Sequence, residues 1–412
     1  MKEHEKVNVS LSTTFGVAAV WFGAHVGGGF ATGNQTRTFF VKFGYPSVFL
    51  PMIIVILIGF IYYEGLLFAH NTDEYNYHNW MEKLYAPYGK IPAYIFDIAY
   101  LLLTIVATGA SIAGSAELFK NLFQLEYVIG VLIAGIIFFI LTIFGANLVR
   151  RASSLITILI LIFLSIVTIA GLKANAHELS NIFTIKPVTA PMSVVLYNAL
   201  RYAGFQSLVL AIMLGAGRPL STKKSIKEFT VIGIILNGIM ITMSCLMMLA
   251  WLSLIQEETL PILAIIKQLN SSLLLWAYSI TLFLAFVSTG VGCVFGIVTR
   301  YENSKFLNHL GEITKRRMII SVAAMIISIL LSLVGLNTLI IKGYGYLGIL
   351  SIFFLIIPTI VLGIIKIKSC YEIKIPCQNT LIFKREYSCG SAKSNPKFRE
   401  GVQTKEMSAP HF

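Results

Sequence analysis

Charge is what this 412-residue sequence has least of: Asp and Glu total 19, Lys and Arg 32, and charged residues make up only 12% of the chain. So few ionised groups exclude a water-soluble domain of this size, whereas 56% hydrophobic residues and a mean hydropathy of +0.79 fit a chain that crosses a bilayer repeatedly. Cysteine is scarce too, with Cys245 and Cys293 inside apolar runs and Cys370, Cys377 and Cys389 near the C-terminus. None has CxxC or Cys/His spacing, which argues against a metal site, and all fall in the membrane or on the expected reducing side, which argues against disulfides. No span or loop offers a nucleophile with a base and an orienting group at usable spacing, so an enzyme is the least favoured class and no organic cofactor is implied.

Against that background, a span needs about 20 apolar residues. Ten segments qualify: 13–43, 47–70, 91–118, 127–147, 153–171, 190–215, 228–253, 272–299, 316–334 and 338–366. The chain opens on the polar Met1-Lys2-Glu3-His4-Glu5-Lys6 without the pattern of a cleaved leader, so residues 1–12 read as a cytoplasmic N-terminus. Lys and Arg then concentrate in the loops on that same side, notably Arg150, Arg151, Arg218, Lys223, Lys224, Lys227 and Arg300 to Arg317. This predicts a multi-pass cell-membrane protein with both termini cytoplasmic. It also accounts for the net charge of +13 through apposition to anionic lipid, leaving no argument for a nucleic-acid partner.

The first segment contains Gly27-Gly28-Gly29 in its middle. Each glycine costs roughly 1 kcal/mol relative to Ala in a helix interior, and freed backbone at membrane depth persists only where it meets protein or a watery cavity. A broken helix with a midplane cavity is therefore expected. Spans one to five (13–171) and six to ten (190–368) form two halves of similar length, joined by a polar linker at 172–189. An odd number of spans per half inverts the second half, and the sixth span has its own interrupted stretch around Tyr202-Ala203-Gly204-Phe205-Gln206. The aromatic loop around Trp80 to Tyr85 is expected to form a short interfacial helix, and residues 369–412 a basic disordered tail.

The run Val26-Gly27-Gly28-Gly29-Phe30-Ala31-Thr32-Gly33-Asn34-Gln35 with Phe39-Phe40 resembles the first-helix signature of the YkvI-like membrane proteins, of the amino acid/polyamine/organocation transporter superfamily. That resemblance implies an all-α integral membrane protein of about ten transmembrane helices, with the LeuT-type five-plus-five inverted repeat and broken helices one and six. The family usually continues Gly-Gln-Glu where this chain has Gly33-Asn34-Gln35, so an acid is missing. The resemblance further implies a sodium site from the carbonyls of Gly23 and Val26 and from Ala285, Ser288 and Thr289. The alternative for such hydroxyls is bonding back to their own i−4 carbonyls.

Few ionisable groups lie deep in the spans, and Glu64, Asp97, Arg201 and His25 are the ones singled out. Glu64 and Arg201 each cost at least ~2.5 kcal/mol at a helix centre, so a Glu64–Arg201 bracing pair is expected. Asp97 either relays a proton or sits at the interface, the latter being preferred. His25 is a candidate for proton coupling and, alternatively, a hydrogen-bonded packing residue. For the solute, the expected contacts are Gly27, Gly28, Gly29, Phe30, Tyr202, Gly204, Phe205 and Gln206, with Thr104 and Thr108 on one face of the third span. Together these support a secondary transporter of a small organic solute, with an amino acid or related amine implied by the resemblance and Na+ or H+ as coupling ion. The rival reading is a non-transporting sensor or scaffold that retains the transporter fold. Beyond solute and lipid, no protein partner is indicated.

Overall fold

The computed structural model describes residues 9–144, 146–304 and 312–373. The last helix runs to Ile373, so the first residues of the expected disordered tail (369–412) are helical, while the rest of it from 374 and residues 1–8 of the N-terminal stretch lie outside the described residues. Those described are almost entirely helical: α1 (Leu11–His25), α2 (Gly28–Ala31), α3 (Asn34–Phe39), α4 (Leu50–Thr72), α5 (Tyr77–Leu84), α6 (Lys90–Phe123), α7 (Tyr127–Phe144), α8 (Ala146–Ala174), α9 (Ala176–Ile185) and α10 (Met192–Ser207). Then follow α11 (Leu210–Ala216), α12 (Lys223–Ala250), α13 (Leu252–Ile255), α14 (Pro261–Gln268), α15 (Ser272–Tyr301), α16 (Ile313–Ser332), α17 (Leu336–Thr338), α18 (Gly345–Ser351) and α19 (Ile357–Ile373). By length and composition, eight described helices suffice to cross a membrane. The expected first span is split into α1, α2 and α3, and the ninth, α16, carries Lys315, Arg316 and Arg317 near its start.

The last span, Leu336–Lys366, is not a plain α-helix. Two π-helical stretches, Leu339–Tyr344 and Ile352–Ile356, join α17, α18 and α19. Widening the helix frees carbonyls for other donors, and such stretches recur at functional sites.

α4 packs along α12 and α10, and α15 along α6 and α8. The central packing is aromatic: Trp21 of α1 lies 4.9 Å from Tyr62 of α4 and 5.9 Å from Phe229 of α12, ring to ring. The short helix expected around Trp80 to Tyr85 does form, as α5, begun by the Asn76 side chain accepting from the His78 and Asn79 amides. Its apolar face, Trp80, Met81 and Leu84, is fully buried, and the Trp80 indole donates to the Gly65 carbonyl at 3.0 Å. The linker at 172–189 contains a ten-residue helix, α9.

Candidate functional site

The glycine run breaks the first segment as its composition dictates. α1 stops at His25, Val26 (φ −90°, ψ 45°) and Gly27 (φ −71°, ψ −178°) leave helical geometry, and α2 resumes for one turn. Gly33 then takes φ 81°, where a side chain is strained, and a Cβ there would meet Ile262 and Met248 at 2.8 Å. Neighbours satisfy much of the freed backbone. The Gly28 amide donates to Thr289 Oγ1 at 3.2 Å, the Ile262 amide to the Thr32 carbonyl at 3.1 Å, and the Tyr278 hydroxyl to the Ala31 carbonyl. Among the described residues, none donates to the carbonyls of Gly23 or Ala24 in the last turn of α1.

The sixth segment bends later than expected. α10 continues through Gly204 to Ser207, and the interruption falls at Leu208-Val209 before α11. Gly204 is therefore not a cavity residue. It is where α10 meets α18: a Cβ at Gly204 would lie 2.0 Å from the Gly348 carbonyl oxygen, and one at Gly348 would lie 2.1 Å from that of Arg201. Paired glycines let two helix backbones approach closely.

Between the two breaks lies a cavity of about 650 Å³. It runs from Gly27, Gly28, Gly29 and Phe30 towards Phe15 near the start of α1, and Phe205 and Gln206 face it from α10. Thr104 also lines it, whereas Thr108 is buried with its hydroxyl on the Thr104 carbonyl at 2.8 Å. Tyr202 does not line it either: its ring is fully buried among Phe39, Phe40 and Phe205. Ser153 and Thr157 of α8, Cys293 of α15, Tyr344 and Gln35 are wall residues that sequence reasoning missed. Hydroxyls, a thiol and an amide scattered over four helical segments carry no shared spacing to betray them.

Of the five residues implied as a cation site, Gly23, Ser288 and Thr289 line the cavity, while Val26 and Ala285 are buried behind it. Ser288 Oγ pairs with Ser153 Oγ at 2.9 Å, and Thr289 Oγ1 accepts from Gly28.

His25 is buried with both ring nitrogens engaged: Nδ1 lies 2.9 Å from Asn237 Oδ1 and Nε2 lies 2.6 Å from the Tyr202 hydroxyl. Asn237 gives its Nδ2 to the Gly233 carbonyl at 2.8 Å, so its oxygen faces His25. The imidazole therefore carries its proton on Nδ1 and accepts at Nε2 from Tyr202. The bracing pair is absent: Glu64 and Arg201 form no ion pair. Arg201 instead donates to the Ile341 carbonyl (2.8 Å) and the Gly345 carbonyl (3.3 Å) of the π-distorted last span, and its guanidinium lies over the Tyr197 and Phe39 rings. Glu64 is buried in α4. Asp97 is tied on two sides, 2.9 Å from Arg300 Nη2 at the end of α15 and 2.7 Å from His78 Nδ1 of α5.

Beyond the glycines, the opposite side of the break is closed. Asn337 Oδ1 accepts from Asn34 Nδ2 (2.5 Å) and Arg37 Nη2 (3.3 Å). Asn34 also donates to the Thr259 carbonyl, and Arg37 to the carbonyls of Ile255 and Gln256.

No protein-family model matches the sequence, and no curated protein does. Solved structures do resemble it. MhsT in complex with L-phenylalanine superposes with a TM-score of 0.58 at 16% identity, over 86% of this chain and 88% of that one. Mhp1 in an inward-facing conformation gives 0.55 at 13% (82% and 76%), and a Na+-coupled sialic acid symporter in a substrate-bound outward-open state gives 0.50 at 12% (85% and 87%). The chain is thus an all-α, multi-pass membrane protein with the LeuT-type fold.

Proposed function

We propose that the protein is a secondary active transporter that moves a small organic solute by alternating access, coupled to Na+ or H+, in the cell membrane. The carrying observation is the 650 Å³ cavity at the Val26-Gly27 break, lined by Gly27, Gly28 and Gly29, reached from the N-terminal side and shut beyond it by α3. With both termini cytoplasmic, this is an inward-facing state, the state in which the Mhp1 relative was solved. Residues 13–171 and 190–368 are the two inverted repeats, joined by 172–189. The solute class is an amino acid or related amine, a reading supported by L-phenylalanine in MhsT and by the aromatic wall of Phe30, Phe205 and Tyr344.

For the ion, the unpaired Gly23 carbonyl opposite Ser288 and Thr289 offers the oxygens that a hard monovalent cation needs in place of water, with Val26 and Ala285 completing the set. The Na+-coupled symporter of the same fold supports sodium first. His25, bonded at both nitrogens, is the group a proton would have to use.

The test is melting of the purified protein against amino acids, amines and nucleobases, each in sodium and in potassium buffer at two pH values. A ligand at 100 times its dissociation constant stabilises by about 2.7 kcal/mol. A sodium-dependent shift followed by sodium-driven uptake into proteoliposomes is expected. No shift with any compound in either buffer would return the protein to the scaffold reading.

A further inference from the structure

Gln35 stands out on the cavity wall. It lies in the first turn of α3 and is only 5% exposed, yet its carboxamide makes no hydrogen bond and its Oε1 is buried without a partner. Gly29 makes room for it: a Cβ at position 29 would lie 2.5 Å from Gln35 Nε2, so any side chain there would push the amide aside. A buried polar group without a partner costs free energy that a ligand donor can return.

What else the wall offers narrows that ligand. His25 is taken by Asn237 and Tyr202, Thr104 bonds the Leu101 carbonyl, and Thr157 bonds that of Ser153. Gln206 turns Nε2 to Tyr202 at 3.5 Å and keeps its Oε1 without a donor. The Ala24 carbonyl is unpaired at the partly negative end of the 15-residue α1, one residue beyond the Gly23 carbonyl assigned to the ion above. Among the described residues, no Asp, Glu, Lys or Arg lines the cavity. A carboxylate finds no cation here, whereas an N–H group finds several acceptors.

We propose that Gln35 is the specificity-determining residue of the cavity: its carboxamide receives an N–H of an amino-bearing solute, whose nitrogen end sits against the last turn of α1. This rests on the transport reading above and names which end of the solute is recognised.

The experiment is thermal-shift titration of the full-length protein with L-phenylalanine, 2-phenylethylamine and 3-phenylpropanoate, extended to the standard amino acids with their decarboxylated and deaminated counterparts. Amines and amino acids are expected to stabilise the protein and the deaminated acids not to. Gln35→Met, of similar length without hydrogen-bonding groups, is expected to weaken the amines at least tenfold without lowering the melting temperature of the ligand-free protein. Should Gln35→Met not fold, Gln35→Glu serves: it is expected to hold amines at least as tightly as the parent, and weaker binding overturns the inference. Deaminated acids binding as tightly as amines, or parent affinity in Gln35→Met, would overturn the inference and leave transport standing. Silence across the whole panel would overturn both.

Discussion

The His25 imidazole and the Tyr202 phenol share a 2.6 Å hydrogen bond that joins the end of α1 to the middle of α10. With Asn237 of α12 on the other nitrogen, one side chain ties three helices together. Tyr202→Phe leaves Nε2 buried without a donor and should destabilise by about 1–3 kcal/mol. His25→Ala should cost as much, and the double variant clearly less than the sum, because both changes break one bond. Additive losses in melting temperature would disprove the linkage.

Phe286 of α15 is fully buried and held between two glycines: a Cβ at Gly28 or at Gly114 would each lie 2.4 Å from its ring. Gly28→Ala and Gly114→Ala should therefore each destabilise by about 1–3 kcal/mol through overpacking. Adding Phe286→Leu should restore part of the loss in Gly114→Ala, which meets only the far end of the ring. Thermal unfolding of the four proteins in one detergent decides the matter, and no recovery would mean that the ring is not the obstacle.

At the α10–α18 crossing, Gly204→Ala should lower the melting temperature while leaving ligand preference intact, because the added methyl meets backbone rather than cavity. A changed preference order across the amine series, with unchanged stability, would contradict the packing role.

Asp97 and Arg300 pair at 2.9 Å with little exposure, and His78 adds the α5 contact. Asp97→Asn should loosen α5, read as faster hydrogen exchange over Tyr77–Leu84, at a cost of roughly 1.5–3 kcal/mol for hydrogen bonds to charged groups. Exchange as slow as in the parent would show that the buried Trp80 face alone holds this helix.

Cys293 lines the cavity and Cys245 is fully buried. N-ethylmaleimide should modify Cys293 and spare Cys245, as followed by peptide mass spectrometry, and a bound solute should slow the reaction. Labelling of both thiols at equal rates would be inconsistent with this cavity.

The first break was legible because three successive glycines leave a membrane helix few alternatives. The sixth was not, because Gly204 serves a close helix crossing with the residue type that also signals a break, while the bend itself falls on the apolar Leu208-Val209. Pairing Glu64 with Arg201 followed from counting charges. The structure satisfies Arg201 with carbonyls from a π-helical stretch, which no pattern of residue types announces. Gln35 was hidden for a related reason: only the left-handed turn at Gly33 folds α3 back so that the amide lies over Gly29.

Asn337 receives both Asn34 and Arg37 on a single amide oxygen. α3 cannot peel away by releasing one donor at a time without leaving the other on a displaced acceptor. Unlatching on that side is consequently cooperative, and a fluorophore pair spanning α3 and α17 should switch between two discrete dwell levels rather than drift through a continuum.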